Sequence, residues 1–163
     1  MSDDYDRHLT ERRGQAGYRS TRLWNADPHE VGMIGEKCLC EYFGAPQDLR
    51  NCPGGDSGID LQIRMWDEWF TLDAKATTYG DYLRTPKDEV KPKTIYVLVF
   101  VTNLKRREGN CFGWLWGQTL MWTPARAWFR GDIICHRWEA DKLRDMKDLK
   151  DQMTGWRHKR RQR

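Results

Sequence analysis

The spacing of hydrophobic residues changes several times along the chain, and the first clear spacing is helical. Apolar residues recur every three or four positions from residue 28 to about residue 43, which predicts an amphipathic helix. Asp27 is suited to the N-cap and Pro28 to the first helical position. Gly44 is suited to the end of the helix, because glycine adopts the left-handed conformation without strain.

One carboxylate does not fit the polar side of this helix. At 100° per residue, Glu36 falls among the apolar positions, together with Met33 and Cys40. A carboxylate on an apolar stripe is costly unless something pairs with it. Either Glu36 lies at the edge of the stripe and reaches water, or it faces a partner such as a cation.

Strict alternation of apolar and polar residues then predicts two β-strands, over residues 59–65 and 70–76. A short polar connection between them predicts a hairpin. When the apolar faces of the two strands are matched, three polar residues share the other face: Asp60, Asp73 and Lys75.

The rest of the chain predicts further strands and short helices. A continuous apolar run predicts a strand buried on both faces over residues 94–102. Weaker patterns predict a loop over 79–93, strands over 111–116 and 133–138, a short helix from Thr123 to Gly131, and a charged helix within 139–153. The fold class is therefore α/β, with a mixed sheet flanked by helices. No apolar run approaches the roughly 20 residues of a membrane span, so we expect a soluble, cytoplasmic protein without a membrane partner.

Charge divides the chain of 163 residues into three parts. A polar arm over 1–25 precedes a single domain over 26–153, and a basic tail follows over 154–163. The formal net charge is +4, and without the five cations of the tail the chain has 23 basic and 24 acidic residues. Such a tail predicts binding to nucleic acid through counterion release, although a merely solvated terminus has the same composition. The five cations are Arg157, Lys159, Arg160, Arg161 and Arg163.

Cysteine and histidine do not follow any metal-ligand spacing. The five cysteines include no C-x-x-C pair, and the four histidines are scattered. A zinc finger and a disulfide scaffold are therefore not expected. The cysteines are interpreted as reduced thiols that pack as small hydrophobic residues.

The polar face of the hairpin carries the candidate chemistry. Two carboxylates, Asp60 and Asp73, repel each other unless a cation lies between them, and hard oxygen ligands suit Mg²⁺ or Mn²⁺. Lys75 beside that ion can orient a water or stabilise the charge on a phosphate, and Glu36 can complete the acidic cluster. Because a bound metal lowers the pKa of its water, this set suits phosphodiester hydrolysis. Thr77 and Thr78 follow the strand and either contact a phosphate backbone or simply end the strand.

These residues together resemble the PD-(D/E)XK nuclease superfamily. The resemblance rests on Glu36, on the segment Gly-Asp-Ser-Gly-Ile-Asp-Leu over 55–61, and on Leu-Asp-Ala-Lys over 72–75. It implies a restriction-endonuclease-like core of the order αβββαβ, of which residues 27–102 supply the first four elements. It further implies that Asp60, Asp73, the Ala74 carbonyl and Glu36 hold the metal and that Lys75 is the catalytic lysine.

The sequence departs from the family pattern at one position and leaves one ligand open. Ile59 precedes Asp60, where the superfamily commonly has proline, and Asp56 could replace Asp60 as the ligand. The resemblance implies a small Mg²⁺-dependent DNA endonuclease of the kind found in phages and mobile elements, acting as a homodimer. A structure-selective nuclease such as a Holliday-junction resolvase and an exonuclease are alternatives within the same class. A non-catalytic DNA-binding module is the alternative from another class.

Overall fold

The computed structural model describes residues 27–47, 61–78, 82–127 and 133–158. Three α-helices and eight β-strands lie in these ranges. The helices are α1 (Pro28–Tyr42), α2 (Gly117–Met121) and α3 (Met146–Gln152). The strands are β1 (Leu61–Met65), β2 (Glu68–Thr77), β3 (Tyr82–Pro86), β4 (Thr94–Asn103), β5 (Glu108–Trp116), β6 (Arg126–Ala127), β7 (Ile134–Glu139) and β8 (Gly155–His158).

Helix α1 confirms the first prediction from the sequence. The Asp27 carboxylate accepts a hydrogen bond from the His29 N–H at 3.0 Å, which satisfies one of the unpaired donors of the first turn. Pro28 occupies the first helical position, and Gly44 follows the helix with a φ of 70°. The chain therefore begins and ends this helix at residues whose backbone preferences favour those positions.

The predicted hairpin is also confirmed, and it lies within a five-stranded sheet of the order β5-β4-β2-β1-β8. Strands β1 and β2 are antiparallel, with Leu61 opposite Leu72. The turn between them has left-handed φ values at Trp66 and Asp67, as a two-residue hairpin turn of this twist requires. Strand β2 pairs with β4 in parallel, so the sheet is mixed.

Helix α1 covers one face of this sheet. The apolar positions of the hairpin face it, and Leu61, Ile63 and Leu72 are buried in the same hydrophobic cluster as the helix. The approach is closest at Gly35, where a Cβ atom would lie 2.5 Å from the Ala76 Cβ. Small residues on both elements therefore let the helix backbone lie against β2.

A second hydrophobic cluster covers the β4 and β5 part of the opposite face. It contains Tyr96, Leu98 and Phe100 from β4 and Leu83 from β3, which belongs to a three-stranded sheet of the order β3-β7-β6. Residues 94–101 are all buried, because β4 lies between the two clusters. This burial on both sides explains the continuous apolar run, and the mixed α/β class is confirmed.

The prediction of a loop over 79–93 is wrong for its described part. Strand β3 pairs with β7, and a single turn of 3₁₀-helix follows over Lys87–Glu89. Leu83 and Thr85 are fully buried, while the alternate residues of β3 are only half-buried. The alternation of a strand is therefore present, but it is short and lies among charged residues.

The prediction of a helix from Thr123 is also wrong for the residues described. The Thr123 hydroxyl donates to the Leu120 carbonyl at 2.7 Å, so this residue closes the preceding helix α2 and does not cap a following one. Strand β6, Arg126–Ala127, comes next and pairs with β7. Residues 128–131 of the predicted helix lie outside the described residues.

The charged helix within 139–153 is shorter than predicted. Asp145 caps α3 by accepting from the Lys147 N–H at 2.8 Å, and the preceding residues form a 3₁₀ turn over Ala140–Lys142. The segment predicted as the beginning of a basic tail then forms β8, which pairs with β1. The resemblance implied an αβββαβ order for one core, whereas the third strand of this chain, β3, lies in the second sheet.

Candidate functional site

Asp73 and Lys75 lie side by side on β2, as their spacing predicts. The Lys75 Nζ is 3.1 Å from the Asp73 Oδ2, and their side chains are 24% and 32% exposed, respectively. Residues two apart on a strand share a face, and this is the face opposite α1. The lysine and the carboxylate therefore form a partly exposed ion pair that a ligand can approach.

A tyrosine from the neighbouring strand supports the lysine. Tyr96 lies beside Asp73 in the parallel register, and its ring centroid is 5.7 Å from the Lys75 Nζ. The Tyr96 hydroxyl accepts from the Lys91 N–H at 2.9 Å and donates to the Glu89 carbonyl at 3.2 Å. These bonds fix the ring, so that its negative π-face helps to hold the ammonium beside the carboxylate.

The ion pair follows the part of β2 that pairs with the described residues of β1. Strand β1 pairs with β2 from Glu68 to Leu72, whereas β4 pairs with it from Thr71 to Thr77. Within the described ranges, the segment from Asp73 onward thus has a neighbouring strand only on the β4 side. Asp60 and Asp56, the other predicted carboxylates, lie outside the described residues.

Glu36 lies on the other side of β2. It follows Gly35, which lies against Ala76, the residue after Lys75. Its side chain is half-buried, and its charge adds to the effect of burial in raising the pKa of the Cys40 thiol to about 11. Within the described residues, β2 lies between Glu36 and the ion pair of Asp73 and Lys75.

The described residues supply only part of the predicted metal site. No three His, Cys, Asp or Glu side chains in the described ranges come close enough to hold a metal ion. The predicted ligands on β2 are the Asp73 carboxylate and the Ala74 carbonyl. The side chain of Ala74 packs against the hydrophobic cluster that contains α1. Thr77 ends β2 and Thr78 follows it in a bend, both half-buried.

The same face of the sheet carries residues that the sequence interpretation missed. Trp69 and Thr71 precede Asp73 at alternate positions of β2, and the guanidinium of Arg157 lies 4.0 Å from the Trp69 ring centroid. The alternation of β2 was a sufficient signal for Trp69. The contact with Arg157 had no local signal, since it joins residues 88 positions apart in the chain. The other tail cations, Lys159, Arg160, Arg161 and Arg163, lie outside the described residues.

No family model, curated protein or solved structure matches this chain. None of the described helices has the length and apolar character needed to cross a membrane.

Proposed function

We propose that this protein is a Mg²⁺-dependent DNA endonuclease whose site is built around Asp73 and Lys75. The observation that carries the proposal is their partly exposed ion pair on the face of β2 opposite α1. A carboxylate that can bind a metal and a lysine that can stabilise a charged phosphate suit metal-assisted hydrolysis of a phosphodiester. The resemblance of residues 36, 55–61 and 72–75 to the PD-(D/E)XK superfamily supports the same reaction.

The proposed chemistry assigns one role to each residue. Asp73, Asp60 and the Ala74 carbonyl would hold Mg²⁺ or Mn²⁺, with Glu36 completing the acidic cluster. A bound ion would supply Lewis-acid activation of the water that hydrolyses the phosphodiester. Lys75 stabilises the negative charge that develops on the phosphate and orients the water.

The proposed substrate and setting follow from charge and from the resemblance. We propose that Arg157 and the cations after it attract the phosphate backbone and that Thr77 and Thr78, which follow Lys75 in the chain, contact it. A chain of this length offers a limited contact area, and we propose that it acts on DNA in the cytoplasm as a homodimer.

The test is a cleavage assay on supercoiled, linear, single-stranded and four-way-junction DNA, each with Mg²⁺, Mn²⁺ or EDTA. We expect nicking of the closed circle with Mg²⁺ or Mn²⁺ and none with EDTA. Cutting only from ends would instead indicate an exonuclease, and a strong preference for the junction would indicate a resolvase. DNA binding without any metal-dependent cleavage would overturn the proposal in favour of a binding module.

Variants locate the activity in the chain. Lys75→Ala should lower the cleavage rate by about a hundredfold or more, because it removes the group that stabilises the transition state. Asp73→Asn should lose cleavage together with metal affinity. Lys147→Ala is the matched control, since this lysine is 81% exposed on α3. If Lys75→Ala retained the rate of Lys147→Ala, the assignment of the site would be wrong.

A further inference from the structure

The face of the sheet that carries Asp73 continues across β1 and β8 as a polar surface. Gln62 on β1 lies opposite Thr71 on β2 and opposite Arg157 on β8. The Gln62 amide donates to the Thr71 hydroxyl at 3.3 Å, and the Arg157 Nε donates to the Gln62 Oε1 at 3.1 Å. We call Trp69, Thr71, Gln62 and Arg157 the polar platform. Two hydrogen bonds therefore connect Thr71, Gln62 and Arg157 across three strands.

The platform has a flat aromatic group under a positive charge. Trp69 is 36% exposed, and the Arg157 guanidinium packs over its ring at 4.0 Å. Arg157 makes no ion pair with any described carboxylate, so its charge is not neutralised within the part of the chain that the structure covers. A guanidinium stacked on an indole offers both a π-surface for a nucleobase and a positive charge for a phosphate.

The platform is aligned with the proposed catalytic pair. Trp69 precedes Asp73 by four residues on the same face of the same strand, which is roughly 13 Å. Strand β8 runs in the same direction as β2, because both are antiparallel to β1. His158, Leu61 and Leu72 lie at one level across the sheet, so His158 at the end of β8 lies one residue before the level of Asp73.

The shape of the platform favours one form of nucleic acid. A duplex is read by an element that enters its grooves, and the major groove is only about 12 Å wide. A sheet face three strands across does not enter such a groove, whereas unpaired bases can stack on aromatic and guanidinium planes that stand on a sheet. The side-chain amide and hydroxyl between the two ends can hydrogen-bond to base edges or phosphates.

We propose that the polar platform binds a single-stranded segment of the polynucleotide and leads it to Asp73 and Lys75. The inference rests on the proposed function for the fate of the bound strand, and it adds that the protein prefers unpaired nucleotides, as at an overhang, flap or gap. Trp69 and Arg157 provide the stacking surface.

The test measures binding without cleavage. The full chain in EDTA is titrated against a fluorescent 15-nucleotide oligothymidine, the matching oligouridine and a blunt duplex, and anisotropy is recorded. We expect tighter binding to the oligothymidine than to the duplex. Trp69→Ala should raise the dissociation constant for the oligothymidine at least fivefold, which corresponds to about 1 kcal/mol at 25 °C. Equal weakening for oligouridine would extend the site to both kinds of strand, because stacking does not require a particular sugar.

Further variants separate stacking from charge and from misfolding. Trp122→Ala is the matched control, since Trp122 is 77% exposed after α2 and lies outside the platform. Arg157→Lys should weaken binding while keeping the salt dependence of wild type, because it retains the charge and loses the stacking plane. Arg157→Ala should weaken binding and reduce the salt slope. Circular dichroism of each variant verifies the fold.

The outcomes distinguish this inference from the proposed function. Suppose that the wild type cleaves DNA and that Trp69→Ala and Arg157→Ala bind the single strand as tightly as Trp122→Ala does. The proposal that the platform binds single strands would then be wrong, and the proposed nuclease activity would be supported. If both variants lose single-strand binding and no metal supports cleavage by the wild type, the binding role of the platform is supported and the proposed nuclease activity is wrong. Binding of the duplex as tightly as of the single strand would also overturn the platform.

Discussion

The packing of α1 against β2 makes Gly35→Ala a sharp test of the fold around the site. The new methyl carbon would lie 2.5 Å from the Ala76 Cβ, whereas ordinary contact begins at 3.4 Å. The helix and the strand must therefore separate by about 0.9 Å at this point. Since Glu36 is the next residue of the helix, the same displacement moves the predicted acid away from the sheet.

Helix propensity and overpacking change the free energy of unfolding of Gly35→Ala in opposite directions. Replacing glycine by alanine inside a helix contributes about 1 kcal/mol of stability, because alanine has the higher helix propensity. Overpacking a close contact costs about 1–3 kcal/mol. Gly32→Ala supplies the reference, since a Cβ at Gly32 meets nothing within 4 Å and so gains the propensity alone. We expect Gly35→Ala to be less stable than Gly32→Ala by about 1–3 kcal/mol.

Urea denaturation followed by circular dichroism measures both variants. The double variant Gly35→Ala with Ala76→Gly moves the methyl group from the strand to the helix, and it should regain most of the loss. The remaining cost of glycine in a strand is about 0.5–1 kcal/mol. If Gly35→Ala were as stable as Gly32→Ala, α1 would not lie against β2 at this residue and the position of Glu36 would be wrong.

Two further predictions concern buried groups. Burial, helped by the charges of Glu36 and Glu41, raises the pKa of the Cys40 thiol from 9.0 to about 11. Between about pH 9 and 11 the thiol ionises in the unfolded chain but stays neutral in the folded protein. The free energy of unfolding should therefore be constant below pH 9 and decline across this range by up to about 1.4 kcal/mol per pH unit. Urea titrations across this range should show a smaller decline in Cys40→Ala, and an equal decline would contradict the assignment. The indole N–H of Trp114 donates to the Asp145 carbonyl at 2.9 Å, and Trp114→Phe removes this hydrogen bond. We expect the free energy of unfolding to fall by about 1–3 kcal/mol in the same assay. An unchanged midpoint would show that water replaces the lost donor.

The elements that the sequence predicts correctly carry their signals within one segment. Asp27 and Pro28 define the beginning of α1 locally, and the hairpin shows its alternation in both strands. Strand β4 is identified by eight consecutive buried residues. In each case the burial pattern of the segment itself, without knowledge of its partner, is enough to determine the element.

The elements that the sequence does not predict depend on distant partners. Strand β3 pairs with β7, about 50 residues later, and only Leu83 and Thr85 mark its buried side. Strand β8 contains Arg157 in a run of cations typical of a solvated tail, yet it forms the edge of the main sheet. Composition describes such a segment correctly, but pairing with β1 determines its structure.

In the candidate site, too, local contacts could be predicted from the sequence and contacts between distant segments could not. The contact between Asp73 and Lys75 follows from a spacing of two on a strand, and the structure confirms it. The sequence placed Glu36 on the apolar side of α1 but did not show that β2 lies between this helix and the ion pair. The part played by Asp60 stays a prediction.

The metal hypothesis is tested most directly by titrating the full chain with Mn²⁺ and counting bound ions by electron paramagnetic resonance. We predict binding that Mg²⁺ competes for, that Asp73→Asn and Asp60→Asn weaken by at least tenfold, and that Lys75→Ala retains. Equal Mn²⁺ binding by the wild type and Asp73→Asn would show that no catalytic metal lies beside Lys75.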